Sequence, residues 1–209
     1  MIRAVAVVPS APLLLPEYTG RSDAGAPLRD RAVDVLRAAL PAAGDGGSVV
    51  LVAATDREPR SSRPSLGRRV GSHLLRLAGA EADEVVEVRW DVPVDGCHAI
   101  GGALGAGPGD VVLVVVADGS ACRGEKAPGH LDERSFAVDD LLLEGLTTAD
   151  PGRLLALNPD LCADLLVHGR APLQVAAAAM AASGRMECAE LEAEDPFGVL
   201  YVTARLTAV

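Results

Sequence analysis

The stretch that most constrains this chain is Val111–Val116, VVLVVV, an apolar run with no polar interruption. It gives way at once to Asp118-Gly119-Ser120-Ala121-Cys122. A β-branched run without alternation describes a strand covered on both faces, as in a parallel sheet packed between helices. In open α/β sheets the ligand crevice lies beyond the carboxyl ends of the strands. Polar residues that follow such a strand are therefore the first candidates for chemistry. The competing account gives Asp118 and Ser120 nothing more than turn-forming duties.

Other segments repeat the pattern. Ala4–Val8 reads as a first buried strand, and it runs into PSAPLLLPE, whose prolines forbid both a helix and a central strand. Arg21–Ala26 reads as a loop. Pro27 then opens a helix with Leu28, Ala32, Val35, Leu36, Ala39 and Leu40 on one face. A turn at Gly44–Ser48 leads to a second strand, Val49–Ala54, which ends at Thr55-Asp56-Arg57. A polar loop with Pro59, Ser61, Ser62 and Pro64 follows. The spacing then predicts a helix over Leu66–Ala78 with Leu66, Val70, Leu74 and Leu77 inward and His73 packing at the edge of that face. Glu84–Trp90 is a third strand, and Asp95–Ala106 a helix interrupted by glycines.

Gly101–Gly107, GGALGAG, precedes a strand instead of joining a strand to a helix, and it lacks the Lys-Ser/Thr of a phosphate-binding loop. Close helix packing accounts for its glycines better.

After the central strand the chain turns helical. Arg134–Leu146 is amphipathic, with Phe136, Leu141, Leu142 and Leu146 as core candidates. Asp150-Pro151 and Asn158-Pro159 each set an N-cap before a proline, opening short helices over Pro151–Leu157 and Pro159–Val167, the second closed by Gly169. His168 at that terminus gains from the helix dipole. Pro172–Ala182 is an alanine-rich helix. Packing of its Gln174–Ala182 face inside the monomer and packing across a two-fold homodimer are both open. Met186–Glu194 and Gly198–Leu206 alternate around Asp195-Pro196-Phe197-Gly198 and read as a hairpin. The expected fold is a single α/β domain over residues 1–209, with a central mixed, mostly parallel sheet flanked by helices and a closing antiparallel hairpin.

Composition removes several function classes. The chain has 209 residues and a formal net charge of −10, which argues against a nucleic-acid or anionic-membrane partner. Lys126 is the only lysine. Cys97, Cys122, Cys162 and Cys188 are widely spaced, which suits reduced thiols and a cytoplasmic location over a disulfide framework or zinc knuckle. The apolar start after Arg3 is broken by Pro9, Pro12 and Pro16, too early for a signal peptide. No apolar run is long enough to span a membrane.

Three polar clusters, Ser10, Thr55-Asp56-Arg57 and Asp118 through Cys122, each follow a predicted strand. If those strands are parallel neighbours, the clusters meet on one rim. Ser10, Thr55, Asp56, Asp118, Ser120, Cys122 and His130 are the pocket candidates, with Arg57 or Arg123 near the rim to favour an anionic group.

The order of PSAPLLLPE, VVLVAATD, VVVADGSAC, DERSFAVDDLLLEGL, NPDLCADLLVHGRAPLQVAAAAM and DPFGVLYVTARL resembles the catalytic chain of class III extradiol ring-cleavage dioxygenases and the related Memo-like proteins, over nearly the whole chain. The resemblance implies an α/β fold with a metal site at the strand ends. Members carry P-H-x-P where this chain has Pro9-Ser10-Ala11-Pro12, S-P-H where it has Ala54-Thr55-Asp56, and D-x-S-H where it has Asp118-Gly119-Ser120-Ala121. The metal-ligand and acid/base histidines are thus replaced, and His73, His98, His130 and His168 do not fall at those positions. Ring opening needs Fe(II) held by two histidines and a carboxylate. Serine is a poor Fe(II) ligand, and alanine neither binds metal nor moves a proton.

Three functions follow as expectations. The first is a dioxygenase-like scaffold without a cofactor that binds a small molecule or a protein. The alternative is an Fe(II)-dependent ring-opening oxidoreductase with a rebuilt site drawn from Asp56, Asp118, Cys122 and His130. The third is a hydrolase or transferase with Ser120 or Cys122 as nucleophile and His130 as base, although Gly119-Ser120-Ala121-Cys122 lacks the second glycine of a nucleophile elbow.

Overall fold

The computed structural model describes residues 1–20, 22–58 and 62–209. Arg21 of the first predicted loop, and Pro59 and Ser61 of the second, lie outside the described residues.

The apolar run Val111–Val116 is strand β4 by its position in the chain, and every residue in it is buried. Its burial follows from a place near the middle of one sheet. With β1 (Ile2–Val8), β2 (Ser48–Ala54), β3 (Glu84–Val88), β5 (Met186–Glu194) and β6 (Tyr201–Ala208), it forms the order β3-β2-β4-β1-β6-β5. Strands β3, β2, β4 and β1 run parallel. Strand β6 pairs antiparallel with β1, and β5 antiparallel with β6. This is the expected mixed, mostly parallel sheet with a closing hairpin. Val114 lies opposite Ala6 on one side and Leu51 on the other.

Alternation along each strand divides the core in two. Val112, Val114 and Val116 of β4, with Ala4, Ala6 and Val8 of β1, pack against α1 (Ala26–Ala39) and α2 (Leu66–Ala78). Leu113 and Val115, with Val5 and Val7, face the opposite layer of α3 (Val94–Ala106), α4 (Arg134–Thr147), α5 (Pro151–Leu155), α6 (Pro159–Asp164) and α7 (Arg170–Ser183).

Local signals fix the helix starts. Asn158 accepts from the Leu161 amide at 2.9 Å and Asp150 from the Gly152 amide at 2.8 Å, each ahead of its proline. Ser65 caps α2 by accepting from the Arg68 amide at 3.3 Å. Two glycines of GGALGAG, Gly101 and Gly105, pack a helix, as expected. A Cβ at Gly101 would strike the Val175 carbonyl and, at 2.7 Å, the Ala178 Cβ, while one at Gly105 would lie 2.9 Å from the Ala182 Cβ. The alanine-rich helix α7 therefore spends its small residues inside the chain, against α3.

Four local expectations change. The inward row of α2 is Gly67, Val70, Gly71, Leu74 and Leu75. It centres on glycines that press the helix onto Leu51 and Val116, so Leu77 turns outward and is 41% exposed. Phe136 is also exposed, lying beneath the Arg123 guanidinium at 4.8 Å from the ring centre. Helix α6 stops at Asp164, well before Gly169. Gly169 instead precedes α7, where a Cβ would meet the Asp118 amide nitrogen at 2.7 Å. Strand β6 begins at Tyr201 and not at Gly198, because Gly198 and Leu200 are hydrogen-bonded to the segment after β4. Among the described residues, no helix is long and apolar enough to cross a membrane.

Candidate functional site

The site arises where β1 ends before its neighbours do. The Ala117 amide donates to the Val8 carbonyl at 2.9 Å, the last rung between β4 and β1. Past that rung the tail of β4 crosses the tip of β1 and pairs with the start of β6. Gly119 donates to Leu200 at 2.8 Å, Leu200 donates to Ser120 at 2.9 Å, and Asp118 and Tyr201 form an isolated antiparallel bridge. The crossing leaves Asp118 standing over the end of β1, where its Oδ1 accepts from the Ser10 amide at 2.9 Å. The proline-stiffened turn after β1, with one-turn helices at Pro12–Leu14 and Pro16–Tyr18, walls off that side.

A cavity of about 800 Å³ opens here, within the range that takes drug-sized ligands. Ser10, Thr55, Asp56, Arg57 and Asp118 line it, as their strand-end positions predict. Most of the remaining wall is apolar, from Ala11, Pro12, Leu66, Val116, Leu166 and Val199. Asp118 is half-buried. Burial raises its carboxyl to about 7, and the Ser10 N–H offsets this only in part. Near neutral pH the group therefore sits between its charged and neutral forms.

The β2 cluster is committed to local structure. Asp56 Oδ1 accepts from the Leu66 amide at 2.9 Å and so caps α2. Thr55 Oγ1 accepts from the Trp90 amide at 3.2 Å. Arg57 donates to the Ala163 carbonyl at 2.9 Å and stacks on Trp90, 4.3 Å from its ring centre.

Three predicted residues are not in the cavity wall. Ser120 is fully buried and turned inward, where its hydroxyl donates to the Leu165 carbonyl at 2.8 Å and accepts from the Cys122 amide at 3.0 Å. Cys122 is buried among apolar side chains, and that burial raises its thiol pKa. A buried neutral thiol is a poor nucleophile. His130 is exposed on the far part of the loop, with its Nδ1 3.4 Å from the Glu125 carbonyl oxygen. Hydrogen bonds from Gly129 to Ala121 and from Asp132 to Cys122, each 3.0 Å, hold that loop with His130 outside the cavity wall. Arg123 is also absent from the wall. It donates to Asp139 at 3.0 Å and to Asp195 at 2.7 Å.

Two wall residues carried no functional signal in the sequence. Gly169 lets the turn before α7 lie against the Asp118 backbone, which brings His168 to the cavity. The dipole role expected for it does not apply, because α6 has ended. Crowding by surrounding atoms lowers the His168 pKa, the Arg57 charge adds to this, and Asp56 opposes it. Tyr201 enters from β6. Burial pushes its phenol up to about 12, and the charge of Asp118 contributes.

The donor set does not fit an Fe(II) site. Asp118 and Asp56 each have an oxygen engaged by a backbone amide. Among the described residues, no three His, Cys, Asp or Glu side chains lie close enough to hold a metal ion. The rebuilt site from Asp56, Asp118, Cys122 and His130 is thus not assembled.

These features define an α/β fold with a crevice at the carboxyl ends of its parallel strands. No family profile and no curated protein matches the chain.

Proposed function

We propose that this chain is a binding protein for a small organic molecule, on a scaffold of the class III extradiol dioxygenase type whose strand ends no longer carry metal-binding histidines. The observation that carries the proposal is the apolar cavity of about 800 Å³ with Asp118 at the crossing of β4 over β1. Its support is chemical. A concave apolar wall with a few converging polar groups, here Ser10, Asp118, His168 and Tyr201, suits a ligand that is mostly buried and oriented at one end.

The only tryptophan, Trp90, reports on the mouth through Arg57. Its fluorescence should respond when an apolar probe fills the cavity, and probe binding should raise the melting temperature. Protein purified anaerobically without a tag and then given Fe(II) should consume no oxygen with catechol. Iron retained at one per chain together with catechol turnover would overturn the proposal in favour of the enzyme.

A further inference from the structure

We infer that the cavity selects a cationic amine with an apolar body, its ammonium seated on Asp118. This inference rests on the cavity being a small-molecule site and names the ligand class.

The floor has an acceptor in excess. Among the described residues, the Ser10 amide is the only protein donor that reaches the Asp118 carboxylate, and it occupies Oδ1 alone. No guanidinium, ammonium or imidazolium of those residues forms an ion pair with it, whereas Asp139, a buried carboxylate on α4, is paired with Arg123 at 3.0 Å. An ionised carboxylate away from bulk water demands a counter-charge and further hydrogen bonds. Among the described residues these are supplied for Asp139 and not for Asp118.

The other groups facing the cavity agree in sign. Asp56 stands in its wall on the segment after β2, so that side also carries a carboxylate. Arg57 is the one fixed cation among the described lining residues, and its guanidinium is engaged by the Ala163 carbonyl and the face of Trp90. His168, from the turn before α7, is biased toward its neutral form by crowding and by Arg57. Ser10, from the turn after β1, and Tyr201, from β6, add neutral hydroxyl-bearing side chains to the wall. The N-terminus of α2, where an anion would otherwise be attracted, is already capped by Ser65 and Asp56.

A ligand ammonium at Asp118 donates to the free oxygen and supplies the missing positive charge, while the alkyl or aryl body covers Pro12, Leu166 and Val199. No covalent change is required. A carboxylate ligand would instead place two anions on one floor, and a neutral alcohol would leave the carboxylate without its counter-ion.

The test uses three probes with one body: 4-phenylbutylamine, 4-phenylbutanol and 4-phenylbutyrate, titrated into the whole protein by calorimetry and Trp90 fluorescence. The amine is expected to bind about tenfold or more tighter than the alcohol, the scale of a hydrogen bond to a charged group. The acid is expected to bind most weakly. In Asp118→Asn the amine-to-alcohol ratio should fall toward one. Equal binding of amine and alcohol to the wild-type chain overturns the inference but leaves the cavity as a binding site. Tightest binding of the acid also overturns it. An amine preference that persists in Asp118→Asn assigns it to general attraction by the acidic surface and overturns the inference. If none of the three probes binds, both the inference and the binding function fall. The wild-type comparison needs no variant to fold.

Discussion

Asp118 holds a carboxyl where the fold gives it little reason to ionise. Its folded pKa of about 7 lies above its ordinary value of 3.8, so between those pH values the folded chain binds more protons than the unfolded one. Stability contributed by this group is therefore present at low pH and is lost as pH rises toward 7. Asparagine keeps the acceptor for the Ser10 amide and removes the titration. Urea denaturation of wild type and Asp118→Asn from pH 4 to 8 should show the variant gaining with rising pH, by at most about 4 kcal/mol. That is a ceiling, because part of Asp118 remains open to the cavity. A pH-independent difference between the two would remove the elevated pKa from the account. Ser120 behaves differently. It looks like a nucleophile in DGSAC, yet its hydroxyl ties the turn to Leu165 and Cys122. Ser120→Ala should cost about 1–3 kcal/mol of stability, and electrophilic probes for serine nucleophiles should leave wild-type Ser120 unlabelled. The position of Asp118 was legible because a strand end fixes it. The inward turn of Ser120 was not, because its acceptor comes from residue 165 and sequence spacing does not report such a partner.

At the scale of elements, α3 and α7 show how a glycine pattern is read correctly without its partner being known. GGALGAG lacks the context of a phosphate loop, so close packing was the better account, but nothing in the segment points to α7 as the surface packed against. The seam makes a paired prediction. Gly101 faces Val175 and Ala178, while Gly102, its neighbour in the same helix, has nothing near the position of a Cβ. Gly101→Ala should destabilise by about 1–3 kcal/mol through overpacking. Gly102→Ala should stabilise by roughly 0.5–1 kcal/mol, since alanine restricts the unfolded chain and favours the helix. Chemical denaturation of the two variants checks both signs, and equal effects would mean that α3 does not meet α7 on this face. Arg170 and Gln174 tie the same layer together. Arg170 donates to the Trp90 and Val92 carbonyls, and Gln174 Nε2 reaches the carbonyls of Leu154, Leu155 and Leu157. These contacts close the end of α5 and place the turn that carries His168. That long-range dependence is why the sequence assigned His168 to a helix terminus it does not occupy.

Across the whole molecule, one sheet serves two cores. The unbroken apolar runs of β1, β2 and β4 revealed that the sheet is covered on both faces, but not that β4 returns between β2 and β1. Periodicity describes what a strand buries and is silent on its neighbours. That unread strand order brings Ser10, Thr55 and Asp118 to one rim, and the crossing of β4 onto β6 adds Tyr201. The shared sheet also makes a prediction about cooperativity. Leu51 points into the layer of α1 and α2, while Leu113, the residue before its β4 partner Val114, points into the layer of α3 and α7. Each is fully buried, so either change to alanine should cost about 2–5 kcal/mol. Because every central strand contributes to both cores, loss of one layer strips one face of β1, β2 and β4 and withdraws support from the other. Urea unfolding should therefore remain a single transition in both variants, with the midpoint lowered and the slope unchanged. Trp90 fluorescence and far-UV circular dichroism should coincide throughout. Separate midpoints for the two signals in Leu51→Ala, but not in Leu113→Ala, would show instead that the layer of α1 and α2 comes away on its own, taking the Pro12 side of the cavity with it.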